Sequence, residues 1–275
     1  MKLMDCLESA ARLCLITLVV VTALTTACPG VLQSDEIKAD SSESMPFAPG
    51  ERLRFRLRWT VVPAGEAILE VLPFQTIDGQ KSYHFRLTAR SNLIVDRIYK
   101  VRDRIDAFAS IDMSRAILYR HKQHEGDNRK NVNVRFDWGK DVALYNDGQT
   151  DSKIPIRPGT FDPLSVFYYS RLIDLDADGL IRCPVSDGKK CVEGQARVVR
   201  KETIKVLCGW YDTYLIEPDL KHVGGVFEKS KDAKISIWVT ADERRIPVKI
   251  ASKVSIGSFV GELVSIENVP PRTET

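Results

Sequence analysis

The stretch RLRFRLRWTV, Arg52 to Val61, sets the fold class of this chain. Leu53, Phe55, Leu57, Trp59 and Val61 fall at every second position, and Arg52, Arg54, Arg56 and Arg58 take the places between. Side chains alternate across a strand, so the pattern buries one face and leaves a basic face in water. Such alternation belongs to antiparallel sheets with one solvated side. The bland reading of the arginines is a wet outer face with cross-strand ion pairs to acids such as Glu66, Glu70 or Asp106. The functional reading is docking to anionic lipid or glycan headgroups.

Period-two patterning continues outward from there. Pro63-Ala64-Gly65 is expected to turn the chain, Ala67 to Gln75 to return, and Asp78-Gly79 to turn it again. Tyr83, Phe85, Leu87 and Ala89 share a face. So do Tyr99, Val101, Ile105, Ala107 and Ala109, interrupted by Asp103. Short strands are expected at 116–121, at Val132 to Trp138 and at Val142 to Tyr145. Later ones are expected near 180–185, 190–200, 203–207, 211–216, 234–240, 246–254 and 259–266. The fold class is therefore mainly β, a meandering antiparallel sheet. It should curve strongly or close into a barrel, because that hides its edges. Phe55, Trp59, Tyr83, Phe85, Phe136 and Trp138 are the candidates for lining a ligand cavity, or equally for filling a core.

One segment breaks the period. In FDPLSVFYYSRL, Phe161 to Leu172, Asp162 can cap a helix and Pro163 suits its first position. Leu164, Phe167, Tyr168 and Leu172 recur at helical spacing, with Ser165 and Arg171 beside them. An amphipathic helix over about 162–173, plugging the concave side of the sheet, is the expectation.

Leu13 to Leu24 is an apolar run shorter than the about 20 residues a membrane span needs, and it follows Lys2 and Arg12. It reads as a secretory signal over residues 1–27. Leu24-Thr25-Thr26-Ala27-Cys28 resembles a bacterial lipobox, with Cys28 as the lipid attachment site; Thr25 departs from the usual Leu. Ordinary cleavage after Ala27 is the alternative. Residues 28–48 are polar and Ser/Asp/Glu-rich, which reads as a tether. Residues 49–269 read as a single β domain, and 270–275 as a tail. The expected location is the periplasm or outer membrane, through a lipid anchor.

The net charge of +3 is unchanged on removing Lys2, Arg12, Asp5 and Glu8 with the signal, too balanced for a nucleic-acid binder. Cys183, Cys191 and Cys208 remain in a compartment that permits disulfides. A three-residue loop Ser186-Asp187-Gly188 would set Cys183 opposite Cys191, the favoured pairing. A two-residue turn would offset them, and three buried thiols are the other reading.

Sites for chemistry are sparse. Ser165 lacks a Gly-x-Ser-x-Gly context, and nothing ties His84, His121, His124 or His222 to it. His121 and His124 read as part of a solvated loop. Asp174, Asp176 and Asp178 resemble the front of a calcium loop, but Val185 stands where the closing Glu should be. No catalytic residue, metal or cofactor is expected.

Several short pieces carry a family resemblance. They are Gly50-Glu51-Arg52-Leu53, Ala64-Gly65-Glu66-Ala67, Asp162-Pro163-Leu164-Ser165, Tyr168-Tyr169-Ser170-Arg171, and Trp238-Val239-Thr240 followed by Asp242 and Arg245-Ile246-Pro247-Val248. In order and spacing they resemble the domain of unknown function 3108 family of bacterial exported proteins. The resemblance implies a mostly β envelope protein with no established activity. The architecture is also similar to that of periplasmic lipoprotein carriers, whose curved sheet and plug helix enclose an apolar cavity. The expected function is thus a non-enzymatic, lipid-anchored carrier or binder of an apolar or glycolipid ligand. The alternative is a scaffold that binds envelope proteins or polysaccharide through its surface.

Overall fold

Among the described residues, fourteen strands form one antiparallel sheet in which every neighbour in space but one is a neighbour in sequence. The computed structural model describes residues 45–176, 179–220, 233–254 and 257–271. The signal, Cys28, most of the tether, His222 and Asp178 lie outside the described residues. The first meander runs β1 (Arg52–Trp59), β2 (Val62–Ile77), β3 (Gln80–Ser91), β4 (Arg102–Ser110), β5 (Ala116–Glu125), β6 (Asn128–Asp137), β7 (Val142–Asn146) and β8 (Asp151–Pro155). A short helix α1 (Leu93–Asp96) links β3 to β4. The second meander runs β9 (Leu180–Ser186), β10 (Cys191–Val206), β11 (Gly209–Pro218), β12 (Lys234–Thr240), β13 (Pro247–Val254) and β14 (Gly257–Glu267). Pairing of β1 with β14 joins them, with Leu57 opposite Gly261.

Helix α2 (Ser165–Tyr169) and a 3-10 turn (Ser170–Leu172) sit between the meanders. The helical plug is there, shorter than the span 162–173 that the sequence suggests.

The first turn falls earlier than expected. Trp59 pairs with Val62, so Thr60-Val61 make the turn, with Thr60 at φ 53°. Pro63-Ala64-Gly65 lies inside β2, where a bulge sets Pro63 against Arg58. Gly65 is needed for close approach, since a Cβ there would stand 2.0 Å from the Arg90 carbonyl oxygen. Residues 190–206, expected as two strands, are one 16-residue strand from Cys191 whose irregularity is a bulge between Val198 and Arg200.

The edges of the sheet are β8 and β9, and no ladder joins them. The segment entering α2 ties β9 to β5 instead. Ala116 N donates to Thr160 O (3.0 Å), Phe161 N donates to Pro184 O (2.9 Å), and Ser186 N donates to Phe161 O (2.9 Å). The β9–β10 loop leans onto β6 and β7: the Lys189 ammonium lies 4.9 Å from the Tyr145 ring centre. A Cβ on Gly188, at φ 85°, would stand 2.7 Å from Val134. The sheet is curled and latched rather than closed.

Candidate functional site

Of the six aromatics that could line a cavity or equally fill a core, none borders the groove described below. Phe55, Tyr83, Phe85 and Phe136 are buried in the main core, with Trp138 packed partly against it. Trp59 stacks on Phe259 at 6.5 Å. The filler comes from two places. Phe47 meets Tyr83, Phe85 and Tyr168 edge-on at 5.3, 5.5 and 5.3 Å. Tyr168 stacks on Phe85 at 4.0 Å. Phe47 was expected in the tether; its ring is 1% exposed, so the packed domain begins before residue 49.

Asp162 accepts from the amides of Leu164 and Ser165, both at 2.9 Å, which fixes the start of α2. Burial pushes its carboxyl up to about 6, against the nearby Ser165 hydroxyl and the amides that favour its charge. The Ser165 hydroxyl itself lacks hydrogen-bond geometry to any partner among the described residues. The buried stripe is Leu164, Ser165, Tyr168 and Arg171, while Phe167 and Leu172 are half-buried. The stripe is rotated from the apolar pattern because an arginine is held inside.

Arg171 is 2% exposed and its partner Glu51 is fully buried. Arg171 Nη1 and Nη2 reach the two carboxylate oxygens of Glu51 at 2.6 and 3.0 Å. Nη2 also donates to Pro46 O (2.9 Å), and Nε to Arg244 O (3.0 Å). The guanidinium lies 5.3 Å from the Phe47 ring centre and 5.7 Å from that of Tyr168. Arg245 Nη1 returns a hydrogen bond to Arg171 O at 3.2 Å. Asp242 orders this turn by accepting from Thr240 Oγ1 (2.6 Å) and from Arg244 Nη2 (2.6 Å). Residues far apart in sequence thus meet in one clasp: the segment before β1, the plug, and the β12–β13 turn. These are three of the pieces that carry the family resemblance.

The other flank of α2 is not filled. Val166 and Phe167 face β9–β13 across a groove with a cavity volume of about 150 Å³. Its walls include Ile181, Val185, Val192, Ile216, Ile237 and Val239, and Gln195, Asp219 and Arg245 border it. Short β-branched side chains reach less far than rings, and the small cluster of Leu175, Ile181, Tyr214, Ile216 and Val239 leaves the space open. A groove of this volume has room for a ring or part of an acyl chain. Sequence reading missed this site; Ile235, Ile237 and Val239 at alternate positions of β12, with Ile181 and Val185 on β9, were the available signal.

The remaining candidates fall elsewhere. Register sets Cys191 opposite Ser186 and Cys183 opposite Gly194, so the pairing expected of Cys183 and Cys191 is absent and both are free thiols. The loop has four residues, Asp187 to Lys190, rather than three. Burial pushes the Cys183 thiol up to about 12, which keeps it protonated and unreactive at neutral pH. On the convex face Arg52 approaches Glu70 (3.4 Å), Arg54 pairs with Glu66 (2.8 Å) and Arg58 with Glu262 (3.1 Å); Arg56 is exposed. Most of that stripe is thus compensated, which weakens the reading of a bare cationic strip. His84 Nε2 lies 2.8 Å from Asp106, and His121 Nε2 3.5 Å from Asp103, neither at Ser165. Asp176 is held by Lys201 (2.8 Å) and the Tyr214 hydroxyl.

These features define the class: a curled, mainly β sheet latched by a short helical plug. The chain belongs to the family described as Protein of unknown function (DUF3108), which matches residues 54–264. No curated protein matches it. Among solved structures it is similar to a beta-barrel-like protein of the domain of unknown function DUF1849 from Brucella abortus, at 12% identity, covering 80% of this chain and 97% of that one, with a TM-score of 0.49. It is also similar to a candidate exported protein with a YmcC-like fold from Bacteroides fragilis (10% identity, 81% and 97% covered, TM-score 0.31). A candidate lipoprotein from Parabacteroides distasonis matches at 10% identity, with 81% and 97% covered and a TM-score of 0.32.

Proposed function

We propose that this chain is a non-enzymatic envelope protein, tethered by lipid at Cys28, that carries or binds the apolar part of a lipid or glycolipid. The supporting observation is the groove between α2 and β9–β13, an apolar space beside a half whose core is filled with aromatic rings. Burial of a chain or ring there removes apolar surface from water, worth about 25 cal/mol per Å². The half-buried Phe167 is the side chain placed to move aside. Native mass spectrometry of the exported protein, followed by solvent extraction, tests the reading. A stoichiometric lipid that is lost on Ile237→Phe supports it. A bare mass that does not change on adding envelope lipids refutes it.

A second reading, docking to another envelope protein, is favoured by one surface feature. Leu93 (83% exposed), Ile94 (72%) and Val61 (79%) stand out from one end of the sheet. Asn92 binds Pro63 O (2.6 Å) and so holds α1 against the β1–β2 turn. Exposed aliphatics grouped this way mark contact surfaces.

A further inference from the structure

The charges that border the groove differ in how they are compensated. Arg171 is neutralised by Glu51, and Glu193 is paired with Arg157 at 2.8 Å. The Asp219 carboxylate borders the groove and is engaged in an interaction of its own. Arg245 is different. Its Nη1 donates to two neutral carbonyls, Arg171 O (3.2 Å) and Glu243 O (3.3 Å). Its Nε is buried without an acceptor. Asp176 feels its charge and is already held by Lys201 and Tyr214.

The placement of this guanidinium is costly in the backbone as well. Arg245 sits at φ 44°, a left-handed conformation that a long side chain rarely adopts. The turn enforces it: Arg245 N donates to Asp242 O (3.1 Å), and Ile246 N donates to Thr240 Oγ1 (2.9 Å). Strain held by surrounding hydrogen bonds is common where a side chain is aimed at a ligand. A guanidinium presents donors in a planar fork that matches carboxylate and phosphate oxygens.

We infer that Arg245 is the headgroup site of the groove, and that the ligand is a single-chain anionic amphiphile, its carboxylate or phosphate on Arg245 and its chain between α2 and β12. This rests on the groove being the ligand site proposed above, and the test separates the two claims. The probes share one chain and differ in head: decanoate, decyl phosphate, decanol and decyltrimethylammonium, titrated by calorimetry below their micellar concentrations. The anions are expected to bind at least about tenfold more tightly than decanol, as a charge-assisted hydrogen bond implies. The cation should bind weakest. A tighter decyl phosphate assigns a lipid phosphate as the source, and a tighter decanoate a fatty acid.

Arg245→Asn tolerates the left-handed backbone and removes the charge. It should bring the anions to the affinity of decanol and leave decanol unchanged, and Arg245→Lys should keep part of the preference. Equal binding of all four probes overturns the headgroup assignment and leaves the apolar groove standing. An anion preference that survives in Arg245→Asn also overturns it. No binding of any probe overturns the groove reading itself.

Discussion

The two meanders present concave faces of opposite character. Over β1–β7 the inward positions carry Phe55, Tyr83, Phe85 and Phe136, and Phe47 and Tyr168 complete a solid core. Over β9–β13 the inward positions are mostly Ile and Val, and a groove remains. One helix serves both sides: Tyr168 fills the first, while Phe167 only half covers the second. The difference teaches that a curled sheet need not be uniformly hollow. Side-chain size along each strand decides which part is wall and which part is core.

The sharpest way to break the filled half is at its clasp. Glu51→Gln leaves the Arg171 guanidinium buried with its charge uncompensated, and should cost about 3–5 kcal/mol by urea denaturation. Next comes the contrast between the halves. Phe85→Ala should cost about 3–5 kcal/mol, while Ile237→Ala, at the half-exposed groove wall, should cost about 1. Equal costs would mean that the groove is packed in solution.

The plug joins the halves, and its cap is titratable. The folded value of Asp162, about 6, lies above the unfolded 3.8, so the folded state holds the proton more tightly. Its stabilising contribution is therefore full below the unfolded value and lost as pH rises through about 6. Asp162→Asn can still accept from the amides of Leu164 and Ser165 but cannot ionise. Relative to that variant, the wild type should lose on the order of 2–3 kcal/mol between pH 4 and pH 7, read from paired denaturation curves. The smallest effect should lie outside both halves. Arg54→Gln removes an exposed ion pair to Glu66 and should change stability by less than about 1 kcal/mol, less still in high salt.

Much of the fold was legible because alternation in segments such as Leu53 to Trp59 admits one reading. The plug was legible because Asp162 and Pro163 announce a helix among strands. What failed was tertiary in origin. The apolar spacing of Leu164, Phe167 and Leu172 gave no hint that Arg171 turns inward, because its partner Glu51 is 120 residues away. Phe47 looked like tether because local composition cannot reveal a slot between Tyr83 and Tyr168. The cysteine pairing failed on loop length, since a change of one residue shifts the register. The groove was missed because sequence patterning marks a face as apolar without saying how far its side chains reach.

The central claim is that a ligand's apolar part lies on the β9–β13 side of α2 and not among the aromatics. Photo-crosslinking tests this most directly, with an amphiphile that carries a diazirine in its chain, peptides being mapped by mass spectrometry. The account predicts labels at Val166 and Phe167 and on strands β9, β10 and β12. Labels on Phe55, Phe85 or Phe136, or labels spread evenly over the surface, would contradict it.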